Sequence, residues 1–308
     1  MTNIKRVIIF ILILIQSSGI CYSMDAPERL NISGEVVVVR ETLKCNYIQS
    51  SINKKSKFKV NDIILKVYDK KSGLSIPKKA LDNPYILEGL DLTATIIRSN
   101  NKINIPITYK DFVGVVMTNT FSYVATITAL EDNNNFVGLS HSATIGENIL
   151  TNEMVLSSSI YKVDYIEAKK RSFLGMSNIS PKIHGFEVIG KVEGYIKHGM
   201  KGIMYNRKCC FLEVETATPK VGKAQIYCKS PSTNKFSFFN IEILEVDDEV
   251  SSIKITDEEL LKYNGGLLKG MSGSPVIQDG KLIGGVRSST NLRKNLGRIT
   301  NIDAMFKE

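Results

Sequence analysis

The chain has 308 residues, 43% of them hydrophobic and 23% charged, ordinary values for a globular protein long enough to build two cores. The formal net charge of +9 is spread over scattered lysines, with no long basic run and no aromatic-basic stripe. That pattern argues against nucleic-acid binding and for a solvated basic surface, with room for weak attraction to an anionic membrane or cell-wall polymer.

Residues 1–23 read as a signal peptide or N-terminal anchor. Lys5 and Arg6 precede an apolar run from Val7 to Ile15, which is short for a bilayer span and suits the hydrophobic region of a signal peptide. Small and polar residues follow at Ser17, Ser18, Gly19 and Ser23, without a clean Ala-x-Ala site, so cleavage near Cys21 or Ser23 and retention as an anchor both stay open. The bulky Ile20 before Cys21 argues against lipidation. The body of the protein is expected outside the cytoplasm, secreted or membrane-anchored. Beyond the signal lie Cys45, Cys209, Cys210 and Cys228, with no metal-binding spacing and no flanking histidine, so neither a metal nor a cofactor is expected. A bridge from Cys209 or Cys210 to Cys228 and buried free thiols are both open readings.

Residues 30–110 alternate short apolar strands with polar turns. A strand is expected at Gly34–Val39. A bend at Val60-Asn61-Asp62 precedes a buried strand at Ile63-Ile64-Leu65, a short helix fits between Pro77 and Leu90, and 92–98 pairs with 103–108 as a hairpin around Ser99–Lys102. This order resembles a PDZ domain, which binds an extended peptide by strand addition. Asn61 stands where that fold usually has glycine, and the usual carboxylate-binding loop is not found before residue 58, so a structural platform is an equal reading.

Residues 111–308 turn to many short strands at regular spacing, the pattern of a barrel or sandwich. Three histidines occur in the chain. His141 ends the apolar strand Phe136-Val-Gly-Leu, where a cleft residue would sit. His184 and His198 lie beside glycines in polar loops and read as structural or surface residues. Gly270-Met271-Ser272-Gly273-Ser274-Pro275 is a glycine-built turn that can aim successive N–H groups at one anionic oxygen, and an Asp279-Gly280 hairpin follows it. The string alone also serves as an ordinary structural loop.

Gly138-Leu-Ser-His141, Ile255-Thr-Asp257-Glu-Glu-Leu-Leu, the PDZ-like region, Val214–Ile226 and the segment from Gly265 through Ser272 to Gly284 together resemble the SpoIVB-like sporulation signalling peptidases. The resemblance implies a mainly β chain with a PDZ-like domain over 30–110 and a chymotrypsin-like double β-barrel over 111–308. It implies an exported serine endopeptidase that cleaves a membrane-associated protein regulator during spore formation, between the forespore and mother-cell membranes. It places the histidine base on His141, the aspartate on Asp257, the nucleophile on Ser272 and the oxyanion hole on the amides of Gly270 and Ser272. Asp257 equally suits the first turn of a helix, with Asp247 and Asp248 as alternatives, and Ser274 is the alternative nucleophile. Ser140 and Arg287-Ser288 depart from the family pattern at the histidine and at one wall of the cleft. A non-catalytic descendant that binds peptides or a membrane partner is the competing reading, and a general degradative protease a weaker one.

Overall fold

The computed structural model describes residues 26–307 except 141–143, 164, 171–176, 183–186, 206–211, 268–270 and 291–292. Residues 1–23, read above as a signal peptide or anchor, lie outside the described residues. Among those described, no helix is long and apolar enough to cross a membrane.

β1 (Arg29–Ser51) is the spine of the molecule. It is far longer than an ordinary strand because its two halves serve different cores. Val37 and Val39 in its first half are buried in one apolar cluster, and Ile48 near its end is buried in another. The chain then builds an appended sheet from β2 (Ile63–Asp69), β3 (Leu92–Arg98) and β4 (Asn101–Ile107), which continues outward from β1 in the order β1-β2-β3-β4. Its apolar side is closed by the short helix α1 (Lys78–Leu81) and a 3-10 turn at Pro84–Leu87, which bury Leu81 and Leu87 on Leu92 and Ile96. The β3–β4 connection is tighter than expected: only Ser99 and Asn100 form the turn, both with positive φ (48° and 63°), the geometry that suits the natural twist of a hairpin.

Asn61, the departure from glycine noted above, adopts φ +75°. That is the left-handed region, and asparagine is among the few side chains that tolerate it. The next residue, Asp62, is 1% exposed and is gripped on both oxygens. The Arg98 guanidinium donates to it at 2.7 and 2.6 Å, and the Lys59 N–H at 2.8 Å.

β5 (Val115–Leu130) returns along nearly all of β1, from Val115 opposite Ser51 to Leu130 opposite Asn31. β6 (Asn135–Ser140) follows it, then the short ladder of β7 (Thr144–Ile145) and β8 (Asn148–Ile149), then β9 (Val155–Lys162), which pairs back onto β1. Among the described residues β10 (Tyr165–Lys170) and β11 (Ser177–Lys182) pair with each other as a separate two-stranded sheet. β12 (Val188–Ile196) and β13 (Gly199–Met204) form a hairpin that joins β9 on one side and β6 on the other. The pairings β1-β5-β6-β13-β12-β9-β1 close a ring of six strands around Val37, Ile127, Phe136, Ile160 and Met200. This ring recruits residues 29–43 as well as residues beyond 110. Inside it Glu41 is fully buried and accepts from the hydroxyls of Tyr195 (2.5 Å) and Tyr123 (3.2 Å), and burial pushes its carboxyl up.

β14 (Leu212–Glu215) pairs with the start of β1 and leads to a second barrel. There β15 (Gly222–Lys229), β16 (Phe236–Glu245), β17 (Val250–Ile255), β20 (Arg293–Asn301), β19 (Lys281–Thr290) and β18 (Pro275–Gln278) close in that order. Cys228 is a free thiol in its core, pushed up to about 12 by burial first and then by the charges of Asp257 and Glu259. Cys209 and Cys210 lie outside the described residues. Leu30, Ile32 and Leu139 from the first barrel meet Ile277 and Leu282 from the second in one buried layer, so apolar burial holds the barrels together. The fold is mainly β, a double barrel with a sheet appended to one long strand.

Asp62→Ala removes the buried partner of Arg98. Urea unfolding of this variant is expected to show a loss of about 2–4 kcal/mol, below the full cost of orphaning a buried charge because Arg98 keeps some access to water. Asn61→Gly is expected to leave the midpoint within error.

Candidate active site

The turn before β18 is fixed from both sides. Within the second barrel the Gly273 N–H donates to the Val286 carbonyl (2.7 Å), the Val286 N–H to the Ser274 carbonyl (2.9 Å) and the Ser274 N–H to the Met271 carbonyl (3.0 Å). From the first barrel the Thr128 hydroxyl donates to the Gly273 carbonyl at 2.8 Å. Gly273 has φ +95°, and a Cβ there would stand 2.6 Å from the Thr126 carbonyl. Only glycine combines that backbone with so close an approach. Ser272 is thus presented at the junction of the barrels.

Ser272 is partly exposed, and its hydroxyl donates to the Arg287 carbonyl at 2.8 Å. Ser274, the alternative nucleophile, is 2% exposed and packed behind the turn, out of reach of a peptide.

His141 and Gly270 lie outside the described residues, as does His184. The strand that leads to His141 is described. β6 ends with Leu139 opposite Thr126 and Ser140 opposite Ala125, so it runs beside the part of β5 that grips Gly273. Leu139 also reaches the second barrel, 3.2 Å from where a Cβ on Gly285 would sit.

Asp257 has a structural task. Its Oδ1 accepts the N–H groups of Glu259 (3.0 Å) and Leu260 (3.3 Å), and its Oδ2 that of Asn240 (3.2 Å). It caps the helical stretch that begins at Glu258 and continues as the wide turn Leu260–Asn264, ending at the left-handed Gly265. No described contact joins it to Ser272. Of the alternatives, Asp247 accepts its neighbour's N–H at 2.9 Å. Both Asp247 and Asp248 are exposed.

His198 departs from the surface reading. It sits at the β12–β13 turn with 7% of its side chain exposed, and its Nε2 lies 2.8 Å from a Glu249 oxygen on the other barrel. Lys197 holds both Glu249 oxygens at 2.8 Å. The Arg287 guanidinium lies 3.4 Å from His198 Nδ1. A polar chain therefore runs from the residue whose carbonyl holds Ser272 to the facing barrel. Glycine-flanked loop spelling gave no signal for it, because its partner is 51 residues away. Among the described residues no group of histidine, cysteine and acidic side chains could hold a metal.

The description SpoIVB peptidase S55 matches residues 109–305, more than half of the chain. The chain belongs to this peptidase family. It is a serine endopeptidase, and its substrates are proteins or peptides. No match was found among curated proteins. Solved structures similar to this peptidase include the Rv3671c protease from M. tuberculosis in its active form (12% identity, 59% of this chain and 69% of that one, TM-score 0.34). The MamO protease domain from Magnetospirillum magneticum (11%, 57% and 82%, TM-score 0.31) and human heparin binding protein (12%, 59% and 82%, TM-score 0.34) are also similar. At such scores they add nothing to the barrel topology established by the strand ladders. The family range begins at β5's approach and ends after β20, while β1, which closes the first ring, lies ahead of it.

Lys197 first and His198 second pull the Glu249 carboxyl down from 4.5 to about 2. A lowered folded pKa gives stability that is present above about 4.5 and disappears as pH falls through about 2. Melting temperatures measured across that window should fall more steeply for the native peptidase than for Glu249→Gln.

Proposed function

We propose that this peptidase is exported and acts through a Ser272–His141–Asp257 triad on a membrane-associated protein regulator in sporulation signalling. The observation that carries the reading is the grip of β5 on the Gly273 turn, which presents Ser272 between the barrels beside the strand leading to His141. Family resemblance supplies the regulator, the sporulation role, the PDZ-like reading of the appended sheet and the extracytoplasmic location.

The chemistry follows from the side chains. Ser272 is a weak nucleophile until its proton is taken, so its hydroxyl must leave the Arg287 carbonyl and turn to a neutral His141 imidazole. Attack on the scissile carbonyl gives a tetrahedral oxyanion, held by the Ser272 and Gly270 amides. Protonated His141 then hands its proton to the leaving amine, and water hydrolyses the acyl-enzyme by the same steps in reverse order. Asp257 would steady the imidazolium while also capping its helical turn.

A fluorophosphonate probe should label the wild-type chain covalently and fail on Ser272→Ala, with labelling slowed at least 10³-fold in His141→Ala. Asp257→Ala should slow labelling and also cost about 1 kcal/mol of stability through the lost cap. A folded wild-type chain that takes no label would overturn the triad. Loss of stability without loss of labelling would leave Asp257 a capping residue alone.

A further inference from the structure

The appended sheet has an uneven surface. Residues 44–120 hold thirteen lysines and arginines against six acids, so a quarter of the chain carries a surplus of seven of the formal +9. Three of those six acids, Asp62, Asp69 and Asp111, are buried and already engaged. The charge that faces water is therefore mostly lysine.

One end of this unit also exposes apolar side chains. β1 and β5 part at Ile52, whose N–H still donates to the Gly114 carbonyl at 3.0 Å. Ile52 is 88% exposed, an unusual setting for so large an aliphatic side chain at a well-built turn. The turn is not loose: Asn53 Nδ2 donates to the carbonyls of Lys110 (2.9 Å) and Val113 (3.0 Å). Ile52, Tyr85, Tyr109, Lys110 and Val113 line a concavity of about 520 Å³. The two tyrosine rings lie 6.0 Å apart, and Lys110 covers Tyr109. Lys54 and Lys55 follow immediately in the turn and are exposed.

An aliphatic tip, two amphipathic aromatics and a collar of lysines form a set suited to a bilayer interface, where apolar groups enter the acyl boundary and ammonium groups meet anionic headgroups. We infer that this tip docks on an anionic lipid surface, with Ile52 inserted and Lys54, Lys55 and Lys110 on the headgroups. A peptide ligand is disfavoured as the occupant because Lys54 and Lys55 stand exposed in the same turn as Ile52 and Lys110 lines the concavity beside it, so the positive charge lies with the apolar tip itself. The inference does not depend on the catalytic reading.

The chain contains no tryptophan, so Ile52→Trp installs a single reporter in the full-length protein. With vesicles of phosphatidylcholine and phosphatidylglycerol, its emission should shift to the blue and be quenched by brominated acyl chains. With phosphatidylcholine alone the shift should be several-fold weaker, and 0.5 M salt should suppress it, as screening requires. Leu244→Trp, on the second barrel, should not respond. Adding Lys54→Glu, Lys55→Glu and Lys110→Glu should abolish the Ile52→Trp response while circular dichroism and melting temperature stay as before. Vesicle binding with an unchanged Ile52→Trp spectrum would assign contact to another part of the chain and overturn the inference, as would no vesicle binding. A response only to peptides with apolar C-termini would overturn it in favour of a peptide groove.

Discussion

The approach of β5 to Gly273 is the constraint on which the site depends. The turn that carries Ser272 belongs to one barrel, and the other barrel reaches it backbone against backbone, with Thr128 closing on the Gly273 carbonyl. No side chain on residue 273 would fit there. The barrels are therefore seated at a fixed distance by the absence of a Cβ, and the layer of Leu30, Leu139, Ile277 and Leu282 supplies the apolar burial that keeps them there.

Around that seat the polar groups divide their work. Glu249 ties Lys197 and His198 of the first barrel to the second, and Arg287 links this cluster to the carbonyl that holds the Ser272 hydroxyl. Asp257 spends its carboxylate on three backbone amides of its own neighbourhood. Charges that cross between barrels and charges that finish local turns are thus different residues, and only the first kind can report on how the cleft is assembled. The appended sheet stands apart from this arrangement: it shares β1 and β5 with the first barrel but keeps a separate core and most of the surplus positive charge.

Local features were readable from the chain alone wherever neighbouring residues settle the outcome. The turn from Met271 to Pro275, the Asp279-Gly280 hairpin with both residues at positive φ and the bend before Asp62 all follow from side chains within a few positions of one another. The two-residue turn at Ser99-Asn100 was less exact in the chain, since flanking polar residues spell a longer loop equally well. The role of His198 was missed because a histidine beside a glycine looks the same whether it faces water or a carboxylate.

By itself, then, the sequence determined the glycine turn around Ser272, the β-rich character and the family, since each rests on short-range spelling. Tertiary structure alone decided that β1 serves two cores, that β9 returns across more than a hundred residues to close the first ring, and that His198 meets Glu249. Those outcomes turn on which strand edges and which charges remain unpaired once everything else has packed, a condition that no stretch of neighbouring residues encodes.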